Sequence, residues 1–291
     1  MSRGANGKGG VGASLQTLTI KRDLCYCPGD MHAPVSPIDP DLLLLAYRSG
    51  IFPMADARDD PEVFWVEPRK RAILPLDGFH LSHSLARTLR RGGFTVTCNR
   101  AFADVMRACA GPRLTGNGND GGTWISARIE ASYLALHALG HAHSIECWQG
   151  DALVGGLYGV GFDAVFCGES MFSRATDASK VALAWLVAAL RRGNAQLLDC
   201  QFITDHLASL GAIEITQNRY MKLLKAAQRA LGDGLGAGVA DDLAEGAAEG
   251  DADGEALALP AAFGALLADA AATGSSSSPG NFIAQSLTQT S

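Results

Sequence analysis

Residues 143 to 202 constrain the fold more than any other part of the chain. Three β-rich runs are separated by Gly150-Asp151 and by Gly161-Phe162-Asp163. Turn residues between such runs predict a meander of antiparallel strands. The third strand leaves through Phe166-Cys167-Gly168-Glu169-Ser170-Met171-Phe172-Ser173. Lys180 to Arg192 then carries apolar residues at Val181, Leu183, Ala184, Trp185, Val187, Ala188 and Leu190, and Gly193 follows. That spacing predicts a helix packed on the sheet and stopped by glycine. Gln196 to Phe202 reads as the next strand, and from Leu197 onward it is apolar except at Asp199 and Gln201. With a side-chain period of two, these polar groups share a face, roughly 6 to 7 Å apart along the strand. A carboxylate and an amide on an otherwise buried strand are candidates for chemistry.

Elsewhere the pattern alternates helices and strands. Asp39 is placed to cap a helix that runs from Leu42 to Ser49 and stops at Gly50. Ala72 to Leu76 is a predicted strand, Ser82 to Arg91 a helix, Phe94 to Cys98 a strand and Phe102 to Ala110 a helix. Gly111 to Gly122 is read as a long loop, and Ala127 to Leu139 as a helix. After Gln201 come a short helix from Asp205 to Leu210, a strand from Ile213 to Gln217 and a helix from Arg219 to Leu231. This order predicts an α+β architecture, with helices covering a mixed sheet.

Composition narrows the function classes. The net charge of −6 is concentrated at one end: residues 233 to 291 hold nine acids and no Lys or Arg, leaving +3 over residues 1 to 232. A mildly basic globular part is compatible with a phosphate backbone, and the run Arg69-Lys70-Arg71 is read as either solvated surface or a nucleic-acid contact. No apolar run approaches the roughly 18 to 20 residues of a membrane span. The N-terminus has no secretory apolar core, so a cytoplasmic protein without membrane association is expected. Seven cysteines, an odd number, imply no disulfide framework. Cys25-x-Cys27 lacks a second pair, and His141-x-His143 is read as structural, so neither metal nor cofactor is expected. Gly7 to Ser14 superficially matches a phosphate loop but has no preceding strand, and a tail is the better reading.

Six phrases in unbroken order carry a resemblance: Gly50-Ile51-Phe52-Pro53, Thr123-Trp124-Ile125, Leu139 to Glu146, Leu153 to Gly159, Phe166 to Ser173 and Asp199-Cys200-Gln201. Together they resemble the leucyl/phenylalanyl-tRNA–protein transferase family from about Asp39 to about Ala227. The resemblance implies a small N-terminal α/β domain (37–91) after a flexible segment (1–36), and a catalytic domain like the GNAT acetyltransferases (92–232). An acidic, low-complexity tail (233–291) is read as unstructured from composition, with a weak helix possible over Ala256 to Ala272.

The activity implied is transfer of Leu or Phe, and less well Met, from aminoacyl-tRNA to the α-amino group of proteins beginning with Arg or Lys. Such products enter the bacterial N-degron pathway. For that reaction Asp199 is the candidate to orient the amine and remove its proton, directly or with Gln201 as a relay, the other reading being a structural carboxylate satisfied by neighbouring backbone amides. Glu169, at the end of the third strand, is read either as an anion facing the cationic side chain of the acceptor or as half of a structural salt bridge. By the same resemblance, Leu157, Phe166, Leu183, Leu186 and Leu198 line an apolar aminoacyl pocket, in which Leu186 stands where the family often has Phe. Trp124 lies at the adenosine position, with Tyr133 assigned to the substrate site beside it. Met54 stands where the family usually has a stacking Trp, and a thioether has no π face.

Two other readings share the fold or the ligands. A coenzyme A-dependent acetyltransferase needs a glycine-rich turn before the main helix, and Arg174 to Lys180 has no glycine. A non-catalytic binder of basic N-termini or tRNA ends is the other.

Overall fold

A computed structural model describes residues 17–18, 36–111, 123–229, 256–272 and 278–288. The glycine-rich run 7–14, Cys25, Cys27 and most of the 111–122 loop lie outside the described residues. Among those described, no helix is long and apolar enough to cross a membrane.

The first helix among the described residues is α1 (Pro40–Arg48): Asp39 accepts from the backbone N–H groups of Asp41 and Leu42, with Pro40 in the first turn. Beside it lies a small sheet in the order β1 (Thr17–Leu18), β3 (Phe64–Val66), β2 (Phe52–Met54). The large sheet has seven strands. These are β4 (Lys70–Ile73), β5 (Thr95–Cys98), β6 (Ala142–Gln149), β7 (Ala152–Phe162), β8 (Val165–Ser173), β9 (Leu197–Gln201) and β10 (Ile213–Thr216). They lie in the order β10-β4-β9-β8-β7-β6-β5. The meander expected over residues 143 to 173 is β6-β7-β8. All pairs are antiparallel except β8 with β9, which run parallel.

The α+β architecture is as expected, but the large sheet takes β4 from the segment assigned to the N-terminal domain. β4 pairs with both β9 and β10, so the sheet runs across the 91/92 boundary.

Helices α3 (Phe102–Ala110), α4 (Ala127–Ala138) and α7 (Gln217–Arg229) join α1 in one hydrophobic cluster against the sheet. A second cluster is centred on α5 (Ala178–Arg192), with α2 (His83–Arg91) contributing to it. The short α6 (Asp205–Ala208) follows β9.

α5 sits very close to the sheet. A Cβ added at Gly155 of β7 would stand 2.4 Å from the Cβ of Ala178 at the start of α5, so only glycine lets the helix settle at this depth.

The sequence pattern of α5 is apolar all round, and such a helix needs covering on both sides. The sheet covers one side. The other is covered by helices from the region read as unstructured: α8 (Leu259–Ala272) and α9 (Pro279–Thr288). Leu257, Leu259, Phe263, Leu266, Ile283, Ala284 and Leu287 belong to the α5 cluster. The rings of Trp185 and Phe263 lie 5.3 Å apart. Arg191 Nε donates to Leu76 O at 2.6 Å and its Nη1 donates to Ser286 O at 3.4 Å. The weak helix read over Ala256 to Ala272 is α8, whereas α9 falls in a stretch whose polar, serine-rich composition gave no helical signal.

Candidate functional site

Parallel strands β8 and β9 stay paired only from Val165 opposite Leu197 to Cys167 opposite Asp199. Beyond that point β8 follows β7, β9 follows β4, and a gap opens between them. Each strand carries a register shift at its mouth. On β8, Tyr158 pairs with Ser170 and Gly159 with Gly168, which leaves Glu169 as the extra residue. On β9, Ala72 pairs with Gln201 and Ile73 with Asp199, which leaves Cys200 as the extra residue. Bulges of this kind re-aim side chains. Gln201 has φ +60°, and Phe202 N–H bonds back to Cys200 O at 2.7 Å. This is a tight three-residue turn about a residue in the left-handed region, a conformation that costs a non-glycine residue about 1–3 kcal/mol.

The gap holds a cavity of about 390 Å³. Leu157, Leu183, Leu186 and Leu198 line it together with Met171, while Glu169, Ser170 and Gln201 supply polar atoms. Met54, Trp124, Phe202, Thr204 and His206 also line it, and Phe202 is 40% exposed.

Glu169 is the centre of a hydrogen-bonded group. Its Oε1 accepts from Tyr47 Oη at 2.7 Å and from Gln201 Nε2 at 2.8 Å, and its Oε2 accepts from Tyr133 Oη at 3.0 Å. The two tyrosine hydroxyls also touch each other. Burial pushes the Glu169 carboxyl up to about 7, with Asp199 adding to the rise, while bonds from Tyr47, Gln201 and Tyr133 favour the anion and hold it down.

Asp199 belongs to a second group beneath the first. Its side chain is fully buried. Arg71 Nε donates to Oδ1 at 2.9 Å and Nη2 to Oδ2 at 2.5 Å, Tyr220 Oη donates to Oδ2 at 2.9 Å, and Gln201 N–H donates to Oδ1 at 2.8 Å. The Arg71 guanidinium lies over the Phe52 and Tyr220 rings, 4.7 and 4.5 Å from their centroids, and its Nη1 donates to Gly50 O. Burial opposes its charge, but the Asp199 carboxylate outweighs that and raises its pKa.

Two family models match the chain. The model described as leucyl/phenylalanyl-tRNA protein transferase covers residues 73–225, and that of the same family's N-terminal domain covers 36–69. A relative from Novosphingobium aromaticivorans is 64% identical over 269 residues, spanning 87% of this chain and 97% of its own length. Relatives from Rhizorhabdus wittichii and Zymomonas mobilis are each 61% identical over 190 residues, or 65% of this chain and 75% and 69% of theirs. All three are named leucyl/phenylalanyl-tRNA–protein transferase.

The chain belongs to the leucyl/phenylalanyl-tRNA–protein transferase family. It is thus an enzyme of the transferase class, with bacterial relatives.

In this transferase the structure brings together most of the residues singled out from the sequence. Leu157, Leu183, Leu186, Leu198, Met54, Trp124, Glu169 and Gln201 all line one cavity. Three do not. Phe166 is fully buried, close to where Gly159 would carry a Cβ, and so packs into the core. Tyr133 is fully buried and meets the cavity through lining residues, bonding to Glu169 and packing edge-on against Tyr158. Asp199 is closed off from the cavity by Arg71 and Tyr220, and it reaches the cavity wall only through the backbone N–H of Gln201.

Arg71 itself is neither solvated surface nor free for nucleic acid, being 1% exposed. Its neighbour Lys70 is exposed and pairs with Glu214 at 2.7 Å. Of the histidine pair, His143 is buried against Asn99 Nδ2 at 2.9 Å, and His141 Nδ1 lies 3.4 Å from Gly161 O. Sequence reasoning missed Tyr47, Arg71, Tyr220 and Phe202. Only Phe202, an aromatic directly after the Asp199-Cys200-Gln201 phrase, left a local signal.

Proposed function

We propose that this transferase moves Leu or Phe, and less readily Met, from aminoacyl-tRNA to the α-amino group of acceptor proteins beginning with Arg or Lys, marking them for N-degron turnover in the cytoplasm. One observation carries the reading: a leucine-lined cavity with the Glu169–Gln201 pair on its wall. An apolar cavity admits uncharged aliphatic or benzyl groups and penalises polar ones, whose hydrogen bonds would go unmet.

The reaction is aminolysis of an ester. An α-ammonium titrates near 7.7 to 8, so it needs only a modest base. Glu169 is the one carboxylate among the described lining residues, and burial tunes it to about 7, close to the amine. In our reading its carboxylate takes the α-ammonium proton. The Gln201 amide nitrogen is committed to Glu169, which leaves its carbonyl oxygen to accept a second N–H of the amine. The freed lone pair forms the C–N bond at the ester carbonyl, and the C–O bond to the terminal ribose breaks as the proton held by Glu169 passes to the ribose oxygen. The Glu169 carboxylate so regenerated takes the second proton from the now cationic nitrogen and releases it to solvent, leaving a neutral amide. Asp199 acts one step back: it fixes the Gln201 backbone. The negative field of Glu169 also favours an acceptor whose first side chain is cationic.

The test is incubation of the purified chain with leucyl-tRNA and a peptide beginning with Arg, read by mass spectrometry. N-terminal leucine on the peptide is expected; no transfer beside an active family member ends the reading.

A further inference from the structure

Among the exposed large hydrophobic residues of the described chain, Phe202 is the only aromatic. It also lines the cavity, beside Met54 and Trp124. Its exposure is built in: the strained turn at Gln201 ends β9 there and turns Phe202 out of the sheet, with its N–H tied to Cys200 O. The Phe202 ring meets the fully buried Phe52 ring edge-on, at 5.8 Å and 76°. Phe52 in turn lies against Arg71, which is locked to Asp199. The exposed ring therefore stands on a rigid chain of contacts rather than on a loose loop.

The geometry of the ligand then decides what meets it. In the transfer reading the aminoacyl side chain fills the leucine-lined cavity, and the ester ties it to the terminal ribose at the mouth. The base on that ribose falls on the surrounding rim. A single-stranded nucleic-acid end offers a π face, and aromatic side chains bind such faces by stacking. Met54, on the same rim, has none.

We propose that Phe202 supplies an aromatic face on which the terminal base of the aminoacyl-tRNA stacks, opposite or beside Trp124. The inference rests on the transfer reading. It predicts that recognition of the nucleoside depends on the ring of Phe202 rather than on its apolar bulk.

The test compares wild type with Phe202→Ala, Phe202→Leu and Phe202→Trp by calorimetry. One probe is a non-hydrolysable adenosine with phenylalanine amide-linked at the 3′ position; the other, phenylalanine methyl ester, lacks the base. KM for an Arg-initiated peptide is measured in parallel, and thermal melts confirm folding. Alanine and leucine should weaken the nucleoside probe about 5- to 100-fold, tryptophan should restore it, and the base-free ester and the peptide KM should hardly change. The inference is overturned if Phe202→Leu binds the nucleoside like wild type, if both probes weaken equally, or if only the peptide KM moves. A wild-type protein that binds the nucleoside probe yet transfers nothing would sink the functional reading while leaving the role of Phe202 measurable; one that binds no nucleoside probe sinks both.

Discussion

Gln201 donates its backbone N–H to Asp199 Oδ1 at 2.8 Å while its side-chain amide donates to Glu169 Oε1, also at 2.8 Å. One residue thus joins a sealed ionic group to the polar wall of the cavity. The strained φ of Gln201 is offset by a charge-assisted bond from its own N–H, of a kind stronger than a neutral bond. Asp199 is in this view the anchor and Gln201 the contact.

The anchor makes a separable prediction. Asp199→Asn leaves Arg71 buried without its counter-ion, and removing one partner of a buried pair costs about 3–5 kcal/mol. Denaturant melts should show a loss of that size. A double replacement of Arg71 and Asp199 by Met and Leu should recover much of the stability but little of the turnover, because Gln201 still lacks its acceptor. Recovery of both would show the pair to be purely structural.

Glu169→Gln should lower kcat by about 10²- to 10⁴-fold and abolish the acid limb of the pH–rate profile near 7. In wild type the carboxyl titrates about 7, so the rate should rise as pH passes upward through that value. The stability consequence has a definite sign. The native state holds this proton above the ordinary carboxyl range, so it binds more protons than the unfolded chain between about 4.5 and 7. Stability therefore falls as pH rises through that window, and the glutamine variant should gain on wild type at pH 8 relative to pH 5.

Tyr47→Phe removes a donor that favours the Glu169 anion. The acid limb should move to higher pH with kcat at its plateau little altered, as a pH–rate series would read. A limb that stays in place would remove Tyr47 from the tuning of the carboxyl.

Leu186→Phe adds volume to the cavity wall. The ratio of kcat/KM for phenylalanyl- over leucyl-tRNA should fall about tenfold, within the 1–3 kcal/mol by which apolar pockets separate groups of unlike size.

Phe263→Ala uncovers Trp185 on the outer side of α5. Deleting a buried phenyl group costs about 3–5 kcal/mol, so a clear drop in melting temperature should follow although residue 263 lies outside both family matches.

Much of the cavity wall was legible through the resemblance: Leu157 lies in one of its phrases, and Leu183, Leu186 and Leu198 stand at family positions. Periodicity gave the helix that carries Leu183, and Gly193 marked where that helix stops. The depth of Asp199 was not legible. Alternation along β9 gives a side-chain face but not its cover, and that cover comes from Arg71, 128 residues earlier in the chain, and from Tyr220. Arg69-Lys70-Arg71 shows the same limit, because one local charge run divides between solvent and core. Of the C-terminal helices, α8 left a weak signal in its own sequence and α9 none, while α5 pointed to a cover: a helix apolar on every side demands a partner that the meander alone does not supply.

The glycine at position 155 has a consequence for altering what the enzyme accepts. Since the first turn of α5 rests directly on the β7 backbone, the span between that helix and the strands sets the depth of the leucine-lined cavity. Trimming individual leucines carves local hollows, whereas a methyl placed at 155 would collide with Ala178 and press on the first turn of the helix. Selectivity in such a scaffold is governed by the spacing of its layers as much as by the residues that face the ligand.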